Sequence, residues 1–368
     1  MKNILKIASL LAAAVVLFSC EEKIDADATL RIVSDKDVIQ ANGQDAATLR
    51  VMYGNKDVTA ESKINDDSHA EVVLNGGKFT ASEVGEYKFY ADYGALTTYD
   101  KKDPDCFFVI KAIDVAVPEA VEDPQPQNKS FVHRTLLTQY TGTDCPNCPR
   151  MIKLIRDILA EGLIPNKAVH VAVHSYSAGD PAYISAPKAQ AYPYLTLDHV
   201  QGFNAANGLA TLKELVGKHS EGSAKAGISV SPKYYEEEGI LVVKVAVKAA
   251  VDGLFNVGAW LLEDEIEGLQ SDNSGLADES YSIHENCVRI ADSKYSGTWF
   301  GHLLGDLKAG QVAEKTFVMN VKPDWKVENL HLAVFTSYGE VDGFRTVYTT
   351  CNAIDAPIDA PTPFEYEK

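Results

Sequence analysis

Short runs at residues 29–33, 47–51 and 85–90 alternate apolar and polar positions with period two. Such alternation marks half-buried strands. Asn42-Gly43 and Asn75-Gly76-Gly77 supply turns between them. Residues 25–112 therefore read as an antiparallel β-sandwich. The pattern then breaks at Pro118, Pro124 and Pro126, interleaved with Glu119, Glu122 and Asp123. Residues 113–130 are expected to form a semi-rigid extended linker. Beyond it the periodicity changes. A strand at 135–140 leads into a helical pattern with Met151, Ile155, Ile158 and Leu159 inward and Lys153, Arg156, Asp157 and Glu161 largely outward. Gly162 stops that helix. Val169, Val171 and Val173 mark a second strand, and residues 194–197 a third. A last helix carries Leu209, Leu212, Leu215, Val216 and His219. Strands alternating with helices predict an α/β layer over residues 131–226. Runs at 241–247, 330–335 and 346–348 return to strand character and predict a second sandwich over 227–352. The Pro-rich tail after Asn352 is expected to be poorly ordered.

The start of the chain has a different logic. Lys2 and Lys6 precede an apolar core at residues 7–18, too short for a bilayer-spanning helix. The stretch Leu17-Phe18-Ser19-Cys20 that follows resembles the lipobox of bacterial lipoproteins. Residues 1–19 are then a signal peptide, and Cys20 becomes the acylated first residue, anchored to a membrane through its lipid. Glu21-Glu22 resembles surface-export signals of Bacteroidota lipoproteins. The implied location is the cell envelope, on an outer membrane, facing the periplasm or the exterior. The chain carries 34 Lys and Arg against 52 Asp and Glu, and loss of the leader makes the remainder more acidic still. That balance argues against nucleic acid as a partner.

Six cysteines in 368 residues are too few for a disulfide-knit scaffold, so their placement matters more. Cys145-Pro146-Asn147-Cys148 lies between a strand and a helix. Unpaired N–H groups at a helix start favour a thiolate, so Cys145 could attack and Cys148 resolve a mixed disulfide. Asp144 opposes that thiolate. A permanent structural disulfide and a metal site are the competing readings. His170 and His174 on the alternate face of the second strand, and His199 after the third, are candidate neighbours of the sulfurs. Cys287 and Cys351 both fall in the C-terminal sandwich, where a bridge between them is open, leaving Cys106 as a small apolar residue. The loop at 272–279 is acidic without EF-hand spacing and reads as a solvated turn. No Walker loop, HExxH or G-x-S-x-G occurs, and no cofactor is called for.

Three resemblances extend this reading. The stretch Asp37 to Val51, with the run 41–45 before Ala47-Thr48-Leu49, looks like bacterial Ig-like domains. The order strand, CxxC, helix, strand, Pro193-strand, helix looks like a thioredoxin-like domain, in which Tyr192-Pro193 would be cis and shape a substrate groove. The fold class expected is thus multidomain α+β: an N-terminal Ig-like β-sandwich, a central thioredoxin-like α/β domain and a C-terminal β-sandwich. The segment Leu136 to Pro149, with Tyr140-Thr141-Gly142 before the CxxC, resembles the Omp28-related outer-membrane lipoproteins of Bacteroidota. Glu263-Asp264, Gln270, His284 and Val288-Arg289 add to that likeness, while Gln139 stands where relatives tend to carry an acidic residue. Two functions follow: a lipoprotein exchanging thiols with a protein dithiol or disulfide substrate, or a non-enzymatic binding or adhesion lipoprotein holding a surface ligand, with a structural 145–148 disulfide.

Overall fold

A computed structural model describes residues 29–103, 106–186, 189, 191–291, 301–342 and 345–368. The expected signal peptide and Cys20 lie outside the described residues. The chain divides into two compact units. One gathers the described part of Met1–Val33 with Leu49–Val73 and Lys88–Phe108; the other gathers Ser34–Thr48, Leu74–Tyr87 and Val109–Lys368.

Nine strands come first: β1 (Leu30–Ser34), β2 (Val38–Gln40), β3 (Ala46–Tyr53), β4 (Lys56–Asp57), β5 (Lys63–Asp66), β6 (Lys78–Thr80), β7 (Gly85–Tyr93), β8 (Leu96–Thr97) and β9 (Phe108–Ile113). In the first unit β5 runs antiparallel to β7, with Ile64 opposite Ala91. Leu49, Val51, Val58, Ile64 and Phe89 are buried there, and His69, Tyr90 and Tyr99 pack edge to face or tilted beside them. In the second unit β2 lies parallel to β9, with Val38 opposite Lys111.

The rest of the second unit begins with β10 (Thr135–Thr141), α1 (Pro149–Ala160), α2 (Leu163–Asn166), β11 (Ala168–His174), β12 (Tyr194–Leu197), β13 (Gln201–Phe203) and α3 (Gly208–His219). It continues with β14 (Ala226–Tyr235), β15 (Ile240–Ala249), β16 (Gly253–Glu263), β17 (Ile266–Glu267), β18 (Ile283–His284), β19 (Cys287–Ala291), β20 (His302–Leu307), β21 (Val312–Asn320), β22 (Leu330–Asp342) and β23 (Arg345–Pro357).

The expected fold class is corrected at this point. Among the described residues strand makes up 46% and helix 13%, and they form no separate central α/β domain. β10 is parallel to β11 and antiparallel to β12, but the sheet does not end at β11. Cys287 of β19 pairs with Ala172 of β11. One nine-stranded sheet thus runs β13-β12-β10-β11-β19-β16-β22-β23, with β20 also on β16. A strand edge offers unpaired N–H and C=O groups to whichever strand arrives. Local periodicity cannot show that β19, far along the chain, completes the edge of β11.

β14, β15 and β21 form a separate three-stranded sheet. Its Val243, Val245 and Phe317 share a core with Phe255, Val257, Leu332 and Val334 from the large sheet. The tail after Asn352 is ordered, contrary to expectation. β23 runs to Pro357, Thr362 and Val230 exchange backbone hydrogen bonds at 2.8 Å, and Phe364 is buried near Phe131. The Pro-rich linker has a fastening of its own. Buried Lys248 of β15 donates to Asp123 at 2.7 Å, to the carbonyl of Pro126 at 2.8 Å and to Tyr366 at 3.1 Å.

Candidate functional site

Strand alternation decides what lies beneath α1. On β10, Leu136 faces one core, and Leu137, Gln139 and Thr141 face the other way. On β11, Val169, Val171 and Val173 share the core of Leu136, whereas Ala168, His170, Ala172 and His174 take the opposite face. At one end this face is apolar, and Leu137 and Ala168 pack against Met151, Ile155 and Ile158 of α1. At the other end it becomes polar. A cavity of about 290 Å³ opens there, lined by Gln139, Thr141, His170 and His174 from the sheet and by Ile152, Ile155 and Leu159 from α1.

The CxxC opens this helix. Cys148 is the N-cap, Pro149 stands at the first helical position, and Cys145 and Cys148 are joined in a disulfide. Pro149 fits because the first N–H of a helix has no internal partner. Both cysteines are buried, Cys145 at 1% and Cys148 at 0% exposure. The cover comes from the loop after β17. The side-chain amide of Gln270 donates toward the carbonyls of Thr143 and Cys145, both at 3.1 Å. Ser271 N–H donates to Thr143 O at 2.8 Å and Asn273 N–H to Pro146 O at 2.7 Å. Asp272, in the loop read as a solvated turn, spends its oxygens on Ser274 and the Ala277 N–H. The hydrogen bond from Ser274 holds its carboxyl down at about 2.

Beside the cover lies a second buried arrangement. His174 Nδ1 donates to Asp180 Oδ2 at 2.9 Å, which leaves Nε2 facing the Cys287 sulfur at 3.6 Å. Burial would raise the Asp180 carboxyl, but the hydrogen bond and field of His174 and the amides of Thr143 and Ala182 hold it at about 2. Burial also pushes the Cys287 thiol well above its usual range. A thiol that is fully buried and protonated is inert as a nucleophile. Iodoacetamide is therefore expected to label Cys287 only after denaturation. Labelling of the native protein, mapped by mass spectrometry, would instead show an accessible nucleophile.

No family model matches the chain, and no curated protein matches it. Among solved structures it is similar to HBP35 of Porphyromonas gingivalis, with 16% identity and a TM-score of 0.49 over 66% of this chain and 80% of that one. So distant a likeness leaves the site to be read from its own geometry.

The remaining sequence-derived candidates fall as follows. Pro193 follows a cis peptide bond and leads into β12, whose Tyr194 lies opposite Tyr140. Tyr192 OH sits 2.9 Å from Ser175 Oγ. His199 is not beside the sulfurs; its Nδ1 lies 2.9 Å from Thr350 Oγ1. Cys287 and Cys351 are free thiols, so the bridge between them is not formed. The sheet order explains why. β16 and β22 lie between β19 and β23. Three strand spacings of about 4.8 Å carry the two cysteines far beyond the roughly 7 Å that a disulfide permits between Cα atoms. Among the described residues, no group of three or more His, Cys, Asp or Glu is arranged to hold a metal. None of their helices is long and apolar enough to cross a membrane.

Several residues quoted for the family resemblance do gather around this region. Gln270 covers the disulfide, His284 Nε2 donates to Gly268 O at 2.8 Å, and Glu263 pairs with Arg289 at 2.6 Å. Asp180 had no sequence signal, because its partner His174 is supplied by strand geometry. The polar floor did have one: Gln139 and Thr141 in β10, and His170 and His174 on either side of Ala172 in β11, occupy a single alternate face of two strands buried at all but one position.

Proposed function

We propose that this chain is a lipid-anchored cell-envelope protein that binds a ligand without catalysing a reaction, and that its Cys145–Cys148 disulfide is structural. The anchor is Cys20, behind the lipobox-like Leu17-Phe18-Ser19. The Omp28-like segment from Leu136 to Pro149 agrees with an envelope role. One observation carries the reading of the disulfide. Both cysteines lie under the 270–273 stretch, whose Gln270 and Ser271 are hydrogen-bonded to the carbonyls around Cys145. Exchange requires an incoming thiolate to attack a sulfur along an open path. Here a protein thiol would first have to lift that cover and break at least the Gln270, Ser271 and Asn273 bonds.

The experiment is a trapping assay with the full chain. Cys148→Ser leaves Cys145 as a lone thiol that would hold any exchange partner as a mixed disulfide. The expected outcome is no adduct in envelope extracts. The wild-type pair should stay oxidised in glutathione buffers that reduce exposed disulfides. A covalent adduct through Cys145, or ready reduction of the native pair, would overturn the structural reading in favour of thiol–disulfide exchange.

A further inference from the structure

The cavity between α1 and the polar ends of β10 and β11 has features that packing alone does not explain. A helix laid on a sheet normally meets apolar side chains, since burying unpaired polar groups is unfavourable. Here Gln139 and Thr141 are each 2% exposed, line the cavity, and leave Gln139 Nε2 and Thr141 Oγ1 without a protein partner. Gln139 is not free to turn away, because its Oε1 accepts from His170 Nε2 at 3.0 Å. The bond fixes the amide and leaves its N–H groups for a third party. We propose that this cavity binds a small neutral molecule with an apolar body and one carbonyl-type acceptor, the acceptor meeting Gln139 Nε2 and Thr141 Oγ1.

The walls define the body of that ligand. Ile152, Ile155 and Leu159 of α1 face Ala172 across the space, with Ile164 and Ile283 beside them. Leu159 and Ile283 are 52% and 37% exposed, so apolar side chains also form part of the rim. The volume is near the lower end for small-molecule sites, and mostly apolar walls with a few fixed polar groups are the usual composition of such sites.

The floor also decides the charge. Burial keeps His170 neutral, with its pKa lowered to about 4, and lowers that of His284. The Arg156 guanidinium donates to Ser280 and lies 4.1 Å over the Tyr281 ring. Arg156 lines the cavity together with Glu285, but its guanidinium is engaged by Ser280 and the Tyr281 ring, so a carboxylate at Gln139 would be desolvated without an uncommitted cation to offset it. A ketone, ester or amide oxygen carries no such penalty.

This inference gives the ligand class for the binding role proposed above, and it is tested separately from the disulfide. The probe is prodan, a neutral aryl ketone whose emission shifts to the blue in apolar surroundings. Titration of the oxidised full chain is expected to saturate at one prodan per protein with a blue shift. Gln139→Leu, which keeps the bulk and removes the donor together with the acceptor of His170, is expected to weaken binding by about three- to ten-fold, the worth of one hydrogen bond. Ala172→Phe, which fills the cavity, is expected to abolish it. Leu159→Arg, at an exposed position, places a charge on the rim without disturbing the core. It should weaken binding even if Ala172→Phe fails to fold, as judged by circular dichroism. Absence of saturation, or unchanged affinity in folded Gln139→Leu and Leu159→Arg proteins, overturns the proposal. Either result leaves the structural disulfide standing, because thiol trapping alone decides that.

Discussion

Asp123→Ala is expected to destabilise the second unit by about 3–5 kcal/mol, the usual consequence of removing one partner from a buried ion pair. Lys248 is among the largest fully buried side chains, and the Lys248 side chain is only 1% exposed against 17% for Asp123. The ammonium keeps the carbonyls of Gln125 and Pro126 and the Tyr366 hydroxyl as neutral partners, but among the described residues no second carboxylate pairs with it. Asp123 also accepts from Tyr366 OH at 2.7 Å and from the Gln125 N–H at 2.8 Å. Its loss therefore loosens the linker and the tail together. Adding Lys248→Met to Asp123→Ala removes the stranded charge and should recover a substantial part of the loss. Urea unfolding of the single and double variants checks both statements. An Asp123→Ala protein within 1 kcal/mol of wild type would show that the pair is not a fastening.

Stability should also pass through a maximum near the ordinary histidine pKa and fall on both sides. His170 is buried, and burial lowers its pKa from 6.5 to about 4. The folded state thus refuses a proton that the unfolded chain takes up. Its contribution is complete above pH 6.5 and is lost as pH falls through about 4. His331 has the opposite sign. Burial would lower its pKa, but Asp264 at 3.3 Å and Asp355 at 2.8 Å outweigh that and raise it to about 9. Its contribution is complete below pH 6.5 and is lost as pH rises through about 9. Each displacement is worth on the order of 3 kcal/mol across its window. Urea midpoints measured from pH 4 to 9.5 should show both limbs. His331→Gln should flatten the alkaline limb, and His170→Gln should shrink the acid one, to which His199, likewise lowered to about 4 by burial, also contributes. An alkaline limb that persists unchanged in His331→Gln would assign it to another group.

The two effects also separate what each level of description supplies. The alternation in β10 and β11 was legible residue by residue. It placed His170 and His174 on one face and Val169, Val171 and Val173 on the other, as the structure has them. The helix over Met151 to Leu159 was equally plain, since an amphipathic stripe is a local property. The position of the CxxC before that helix also followed from its residues. None of these depends on what lies far along the chain.

Tertiary structure decided the rest. Whether the pair at 145 and 148 is open or covered depends on Gln270, Ser271 and Asn273, more than a hundred residues away, whose hydrogen bonds are set by where the loop after β17 lands. Whether the strands from 135 to 203 form their own domain depended on β19 pairing with β11. Local pattern leaves a strand edge unassigned, so the central α/β domain dissolved into a longer sheet. The same sheet separated Cys287 from Cys351 by two intervening strands and brought Cys287 to His174 instead. By itself the sequence determined an acidic chain with strands, helices and a CxxC at a helix start. Only the fold determined that this CxxC is buried and that a polar-floored cavity lies behind its helix. Distant segments create burial and partner choice, and periodicity carries no record of them.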